Sequence, residues 1–181
     1  MGFRGEAMAA IASVSLLELQ TMDGEESTRL EVEAGRVVAV EPCARNRGTT
    51  IDVRSLFYNV PARQKFQKSA ASSSAQILKT LQTIALAQPE IAFSLVSQER
   101  VVFQADAAAD WRARAQDVLG SFSHEVKSER DEYGVHGLIG APEEAKGNRS
   151  GQYVFVNRRP VFSPVIARAV KDGYATRLPE G

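Results

Sequence analysis

The first nine residues, MGFRGEAMA, combine residue types that hold anions. Gly2 and Gly5 allow the backbone to bend and to approach a ligand closely. A helix that starts here presents unpaired amides and the positive end of its dipole, and Arg4 adds a charged donor. The pattern predicts a phosphate-binding turn. Because it is neither GxGxxG nor a Walker loop, it also suits a plain turn before a capped helix.

A second group of candidate residues lies in RNRGTTIDVRSLFYNVPARQKFQK, from Arg45 to Lys68. This stretch holds six basic residues and one acid, Asp52, beside three aromatic residues. Such a surface is compatible with binding a nucleic-acid backbone. The hydroxyls of Thr49 and Thr50 could hydrogen-bond a phosphate or a purine. A solvated basic surface over an aromatic core explains the same charge.

The third group lies in QYVFVNRRPVFSPVIARAVKDGY. A predicted strand ends in Arg158 and Arg159, and the helix that follows carries Arg168 and Lys171. Phosphate contacts from such residues position a protein on a duplex without reading its bases. Charge that protects the edge of a strand is the alternative interpretation.

The composition and residue spacing give little indication of a metal site, a catalytic triad or a strongly basic nucleic-acid-binding protein. The chain has 22 basic and 22 acidic residues, so its formal net charge is zero and any affinity for nucleic acid must come from local patches. Its two histidines and its one cysteine, Cys43, are not at metal-ligand spacing, so we expect no metal site. We also find no catalytic triad or paired carboxylates. A single cysteine excludes an internal disulfide framework and, together with the missing signal peptide, favours a reducing compartment, hence the cytoplasm. No apolar run approaches the ~20 residues of a membrane helix.

Hydrophobic periodicity predicts the elements that position these groups. Met8, Ile11 and Ala12 share one face of a first helix. Ala34 and Gly35 form a hairpin turn, and Ser163 caps the last helix. The predicted helices are 5–14, 61–69, 74–88, 111–119 and 164–178. Possible caps of the third helix are Ser72, Ser73 and Ser74. The predicted buried side of the last helix consists of Val165, Ala169, Val170 and Tyr174. The predicted strands are 16–22, 28–33, 36–42, 48–58, 91–97, 100–106, 133–142 and 152–161.

Hairpins outnumber βαβ units in this order, so the predicted class is α+β. The composition changes near Ala107, where alanines and aspartates announce a helix after a strand pair. We therefore predict two domains, 1–106 and 107–181.

Three stretches, GFRGEAMAAIASVS, GTTIDVRSLFYNVPARQKFQKS and YVFVNRRPVFSPVIARAVKDGY, closely resemble the amino-terminal region of the MutL DNA mismatch repair family. The resemblance extends over nearly the whole chain, and FYNVPARQKF is its most specific part. It implies the C-terminal portion of a GHKL (Bergerat) ATPase sandwich, followed by a truncated domain like domain 2 of ribosomal protein S5.

The resemblance also implies site residues. The lid that holds ATP phosphates corresponds to Gly2, Phe3, Arg4, Gly5, Glu6, Ala7 and Met8, and the GTT motif places Thr49 and Thr50 near the nucleotide. The DNA groove of the family corresponds to Arg63, Lys65, Lys68, Arg159 and Arg168. Arg158 stands where the family usually has glycine, which puts the tight turn at that position in question.

The resemblance implies ATP and Mg²⁺ as cofactors of the intact family. Its members carry a glutamate general base, a magnesium-binding asparagine and an adenine-binding Asp-x-Gly motif upstream of the lid, and a phosphate-binding lysine downstream. None of these motifs occurs in the 181 residues. We therefore expect a fragment that binds no cofactor, has no catalytic residue and hydrolyses no ATP.

The function implied is an ATP-switched DNA-binding clamp that couples mismatch recognition to later repair. The implied partners are DNA, a MutS-type recognition protein and a second MutL-type subunit, in a homodimer or a heterodimer, in the bacterial cytoplasm near the nucleoid and without a membrane. The alternatives are a non-enzymatic DNA-binding module and another GHKL ATPase of the topoisomerase or chaperone type.

Overall fold

The computed structural model of the chain describes residues 6–120, 122, 124–144 and 148–174. It contains two compact units, Met1–Ser69 and Ala70–Gly181, and each combines helices with antiparallel strands. The predicted α+β class is confirmed. The boundary between the compact units falls after Ser69, whereas composition divides the chain at residue 106. The family domains 1–106 and 107–181 stay a prediction.

The first unit is built on a four-stranded antiparallel sheet. Its elements are α1 (Glu6–Ala12), β1 (Leu16–Met22), β2 (Ser27–Glu33), β3 (Arg36–Pro42), β4 (Gly48–Arg54) and α2 (Pro61–Lys65). The spatial order of the strands is β3-β2-β1-β4. The predicted hairpin is confirmed: Ala34 and Gly35 connect β2 to β3 with φ values of 47° and 82°, in the left-handed region that glycine adopts readily.

The two faces of this sheet differ because side chains alternate along each strand. Leu17 on β1, which is 5% exposed, lies opposite Val32 on one side and Val53 on the other, so this face is apolar. On the opposite face Glu18 accepts a 2.8 Å hydrogen bond from Arg29. That bond, and then one from a neighbouring glutamine, keeps the pKa of Glu18 below its ordinary value.

In its described residues, the second unit has three α-helices, three antiparallel hairpins and two 3-10 helices, Pro142–Glu144 and Arg149–Gly151. Its elements are α3 (Ala70–Ala87), β5 (Phe93–Ser97), β6 (Arg100–Ala105), α4 (Trp111–Leu119), β7 (His124–Arg130), β8 (Tyr133–Ile139), β9 (Phe155–Val156), β10 (Arg159–Pro160) and α5 (Pro164–Tyr174). Helix α3 contacts α4, β5 and β10. Asp110 caps α4 by accepting 2.9 Å bonds from the amides of Arg112 and Ala113. Ser163 accepts a bond from the Ile166 amide, which confirms its predicted capping role.

Four helices differ from the sequence prediction. Helix α1 ends at Ala12 rather than at residue 14, and α2 ends at Lys65 rather than at residue 69. Helix α3 begins at Ala70, so the three serines at 72–74 lie inside it rather than at its cap. Two alanines, which have the highest helix propensity, extend the helix ahead of them.

On α5 the buried residue is Ala167, whereas Val165 is 78% exposed and Val170 40% exposed. Ala169 is exposed as well, so these three predictions were wrong. Tyr174, the fourth predicted residue, is half-buried, and its hydroxyl donates to the carbonyl of Gly140 at 2.9 Å.

In the second unit the prediction missed one strand and was wrong about another. The segment HEVKSER forms β7 although all of its residues are exposed, because its backbone pairs with β8 from His124 to Arg130. The predicted strand 152–161 is interrupted by a turn at Asn157 and Arg158, which separates β9 from β10. The sequence has no glycine there, so the turn is not visible in the pattern.

Candidate functional site

The predicted phosphate lid lies at the start of the chain. Gly2, Phe3, Arg4 and Gly5 lie outside the described residues. Glu6 and Ala7 are exposed in the first turn of α1, and Met8 is half-buried on the side that also carries Ile11 and the buried Ala12. The apolar face predicted for this helix is therefore confirmed. The role of these residues in holding phosphate stays a prediction.

The GTT motif opens β4 at one end of the sheet. Thr49 lies opposite Thr21 of β1, and their hydroxyl oxygens are 2.8 Å apart. Thr50 lies opposite Gln20, on the other face of the sheet. Because neighbouring residues in a strand face opposite ways, the structure does not bring the two hydroxyls to one surface. A ligand on one face of the sheet meets one of them.

The FYNVPAR stretch holds the end of α1 in place. Its start was predicted as strand but forms a turn, in which Ser55 and Phe57 have φ values of 53° and 67°. The amide of Phe57 donates to the carbonyl of Val14, and the side chain of Asn59 donates to the carbonyl of Ser13 at 2.9 Å. These bonds fix the connection from α1 to β1. Sequence reasoning missed this positioning role.

The basic residues predicted to contact DNA fall in both units. Arg63 and Lys65 lie together on the short helix α2, both exposed, and Lys68 is exposed in the segment that follows. Pro61 starts α2 in the position that tolerates proline, as predicted. The structure therefore brings three of the predicted cations into one short stretch of the first unit.

The other two predicted cations lie close in sequence in the second unit. Arg159 is exposed on β10. Arg168 is exposed on α5, where it forms a 3.5 Å ion pair with Asp172 one helical turn later. An exposed pair of this kind is weak and leaves the guanidinium available to a phosphate.

Arg158 has a role that the sequence did not reveal. Its Nε donates to the carbonyl of Ala87 at 3.0 Å, and its Nη2 donates to Glu90 Oε1 at 2.7 Å. The turn that glycine usually allows forms here with Arg158 at φ 65°. The doubt about this turn is thereby resolved, since a long side chain anchors it. The only available signal was the arginine in a glycine position.

Within the described ranges, no group of three or more His, Cys, Asp or Glu side chains is arranged to hold a metal ion. Among the helices in those same ranges, none combines the length and hydrophobicity that crossing a membrane requires.

Comparison with known proteins supplies the family. Residues 115–181 match the family model described as DNA mismatch repair protein, C-terminal domain. The chain is 42% identical over 187 residues to the DNA mismatch repair protein MutL of Anaeromyxobacter dehalogenans (strain 2CP-1), covering 100% of this chain and 31% of that protein. It is 37% identical to MutL of Chlamydia pneumoniae, covering 98% of this chain and 32% of that protein. The chain thus spans about a third of the length of these relatives.

Solved structures agree with this assignment. The Aquifex aeolicus MutL ATPase domain complexed with ADP matches with a TM-score of 0.82 and 27% identity, over 92% of this chain and 67% of that one. The ATPase domain of the Aquifex aeolicus mismatch repair endonuclease MutL matches with a TM-score of 0.76 and 25% identity, over 98% and 71%. The fold is therefore the predicted GHKL ATPase portion followed by an S5 domain 2-like part. From sequence and fold together, this chain belongs to the MutL family of DNA mismatch repair proteins.

Proposed function

We propose that this chain supplies part of the nucleotide lid and part of the DNA-contacting surface of an ATP-switched mismatch-repair clamp. The observation that carries the proposal is the likeness to a MutL ATPase domain complexed with ADP, which extends over 92% of this chain. The resemblance of the lid, GTT and FYNVPAR motifs supports the same function.

On the nucleotide side, the exposed hydroxyls at the start of β4 fit a nucleotide, because each can both donate and accept a hydrogen bond. We assign the polar contact near the nucleotide to Thr49 or Thr50. Because they lie on the two faces of β4, a nucleotide on one face would meet one of them. The lid residues from Gly2 to Met8 would hold the phosphates. ATP would supply the negative charge that orders the lid, with Mg²⁺ bound in the intact family protein. We assign no metal ligand to this chain.

On the DNA side, Arg63, Lys65 and Lys68 in one unit and Arg159 and Arg168 in the other would contact phosphates. Such contacts set affinity and register and do not read sequence. A MutS-type recognition protein and a second MutL-type subunit are the partners we propose for the whole protein, which would act in the cytoplasm near the nucleoid. The absence of ATP turnover by this chain alone also stays a prediction.

Salt-dependent DNA binding tests this proposal. Fluorescence anisotropy with a labelled duplex gives the slope of log affinity against log salt for the full chain, with and without ADP or a non-hydrolysable ATP analogue. If Arg63 and Lys65 each neutralise one phosphate, the Arg63→Ala/Lys65→Ala variant reduces the slope by about 1.8. The control is Lys127→Ala, which removes an exposed cation from β7 and leaves the slope unchanged.

Three outcomes separate the candidate functions. Binding that changes with nucleotide supports the switched clamp. Salt-dependent binding that ignores nucleotide favours the non-enzymatic DNA-binding module. No binding to the duplex at low salt contradicts the DNA-contacting role altogether.

A further inference from the structure

The turn between β9 and β10 has an unusual sequence for its geometry. Asn157 and Arg158 have φ values of 49° and 65°, and the flanking residues Val156 and Arg159 pair across it. Two consecutive left-handed residues define the turn type that most often joins antiparallel strands, and it usually contains asparagine and glycine. Asparagine is present, but an arginine in this conformation carries a steric cost that glycine does not. Something else must hold Arg158 there.

The side chain of Arg158 holds the turn by reaching the end of α3. Its Nε donates to the carbonyl of Ala87, the last residue of that helix, at 3.0 Å. The final carbonyls of a helix lack partners within the helix and carry the negative end of its dipole, so they favour a guanidinium. Its Nη2 donates to both carboxylate oxygens of Glu90, at 2.7 Å for Oε1.

The segment that accepts the hydrogen bonds of Arg158, residues 87–91, is itself held by other residues of the second unit. Arg114 of α4 is fully buried, and its Nη2 donates to the carbonyls of Pro89 and Ile91 at 2.8 and 2.6 Å. The amide of Ala108 donates to the same Pro89 carbonyl at 2.8 Å. Because this segment is held in place, the hydrogen bonds that Arg158 makes to it also hold the turn in place.

The residue after Arg158 is Arg159, one of the cations assigned above to the DNA surface. Arg159 is the first residue of β10, so a tilt of the turn redirects its side chain. The pair formed by Arg158 and Glu90 is 55% exposed on both sides. Charge attraction alone is weak at such exposure, and the bond to the helix end makes the contact directional.

We propose that Arg158 is a positioning residue for DNA contact, which ties the β9–β10 turn to the end of α3 and so directs Arg159 toward a phosphate. The inference rests on the DNA-binding role proposed above. Arg158 itself does not contact DNA in this arrangement, although its positive charge lies next to Arg159, which does.

A double-mutant cycle tests this, using the same duplex and the full chain. Arg159→Ala removes one phosphate contact and lowers affinity about eightfold at ~0.1 M salt, because the slope of log affinity is about −0.9 per phosphate. Arg158→Gly keeps a residue suited to the turn and removes the tie together with one positive charge, and it lowers affinity by a comparable factor. The variant with both changes loses no more than Arg159→Ala alone, since positioning acts through Arg159.

Glu90→Gln gives a readout that simple charge effects cannot imitate. Removing an acid ordinarily raises affinity for a polyanion. The matched control Glu99→Gln, in the β5–β6 turn, does so or has no effect. Glu90→Gln instead lowers affinity, because it weakens the tie that directs Arg159. Hydrogen exchange of the amides from 155 to 161 reports the freed turn in both Arg158→Gly and Glu90→Gln.

The outcomes are distinguishable. Additive losses in the cycle mean that Arg158 contacts DNA directly, and they overturn the inference while the proposed function stands. An affinity gain in Glu90→Gln equal to that of its control also overturns it. An unchanged affinity of the Arg159→Ala variant means that Arg159 does not contact DNA, and it overturns the inference because Arg158 then has no contact to position. Absence of DNA binding by the wild-type chain is failure of the proposed function itself.

Discussion

Two hairpin turns in this molecule have the same left-handed backbone and are stabilised in different ways. In the first unit, Ala34 and Gly35 are small, and their amides donate to the carbonyls of Ser15 and Ala12 at 3.2 and 2.9 Å. In the second unit, Arg158 is large and is held by its own side chain. The first turn depends on backbone contacts over about twenty residues of sequence, and the second depends on a pair of residues 68 positions apart.

This difference shows what a turn needs in order to tolerate a non-glycine residue. In the first turn a Cβ at Gly35 would lie 3.4 Å from Ser13, an ordinary van der Waals contact, so its φ of 82° rather than lack of space disfavours a side chain there. The second turn has room for a long side chain and uses it as an anchor. One turn therefore depends on the left-handed conformation that glycine adopts readily, and the other depends on a distant partner.

The largest expected effect on stability concerns Arg114, which holds the segment to which Arg158 binds. Arg114→Ala removes a fully buried side chain and its bonds to the carbonyls of Pro89 and Ile91, so we expect a loss of about 3 kcal/mol in the free energy of unfolding. Urea denaturation measures it. Arg112→Ala on the same helix removes a half-exposed side chain and should cost far less. Equal losses in the two variants would contradict the structural role of Arg114.

A smaller effect is expected at the first turn. Gly35→Ala forces a Cβ into a left-handed backbone close to Ser13, and it should cost about 1–2 kcal/mol. The control Gly24→Ala, whose added Cβ meets nothing within 4 Å, should change stability by less than about 0.5 kcal/mol. Thermal melts of both variants measure the difference. A Gly35→Ala variant as stable as its control would show that the first turn does not depend on glycine.

The smallest effect is a pH dependence confined to the second turn. The pKa of Glu90 lies below its ordinary value because its own backbone amide and then Arg158 donate to the carboxylate, and Arg114 adds a favourable charge. A lowered pKa in the folded state stabilises the fold above the unfolded value of about 4.3, and this stabilisation is lost as the pH falls through the folded value.

Hydrogen exchange in acid measures that loss. The amides from 155 to 161, except at Pro160, should lose protection as the pH falls below the ordinary carboxyl value of about 4.3 and through the lowered pKa of Glu90, and the Glu90→Gln variant should lack this step. The amides of Ala34 and Gly35 bond to carbonyls and should not respond in that range. A parallel response of both turns would mean that acid destabilises the molecule as a whole.

Local signals predicted most of the elements. The strand at 16–22 and the helix at 111–119 have the predicted bounds, because alternation and an aspartate cap mark them in the sequence itself. The Ala-Gly turn was predicted for the same reason. The strand β7 was missed because its residues are exposed and charged, so its structure comes from pairing with β8 rather than from a buried face.

The sequence named candidate site residues, but it did not predict how their side chains are arranged. Motif resemblance named Thr49 and Thr50, but only the register with β1 shows that they face opposite sides of the sheet. It named Arg159, but not the contact of its neighbour Arg158 with Glu90. Nothing in either local sequence indicates that such distant residues meet.

By itself, the sequence determined the class of the fold, the family and the candidate residues, because motifs, caps and periodicity act over a few neighbouring positions. The tertiary structure alone decided how the turn at Arg158 is held and why Arg114 is buried. Those features depend on carbonyls at the end of α3, which become available only when segments far apart in the chain pack together. A hydrogen bond between distant segments leaves no local pattern, so only the folded molecule reveals it.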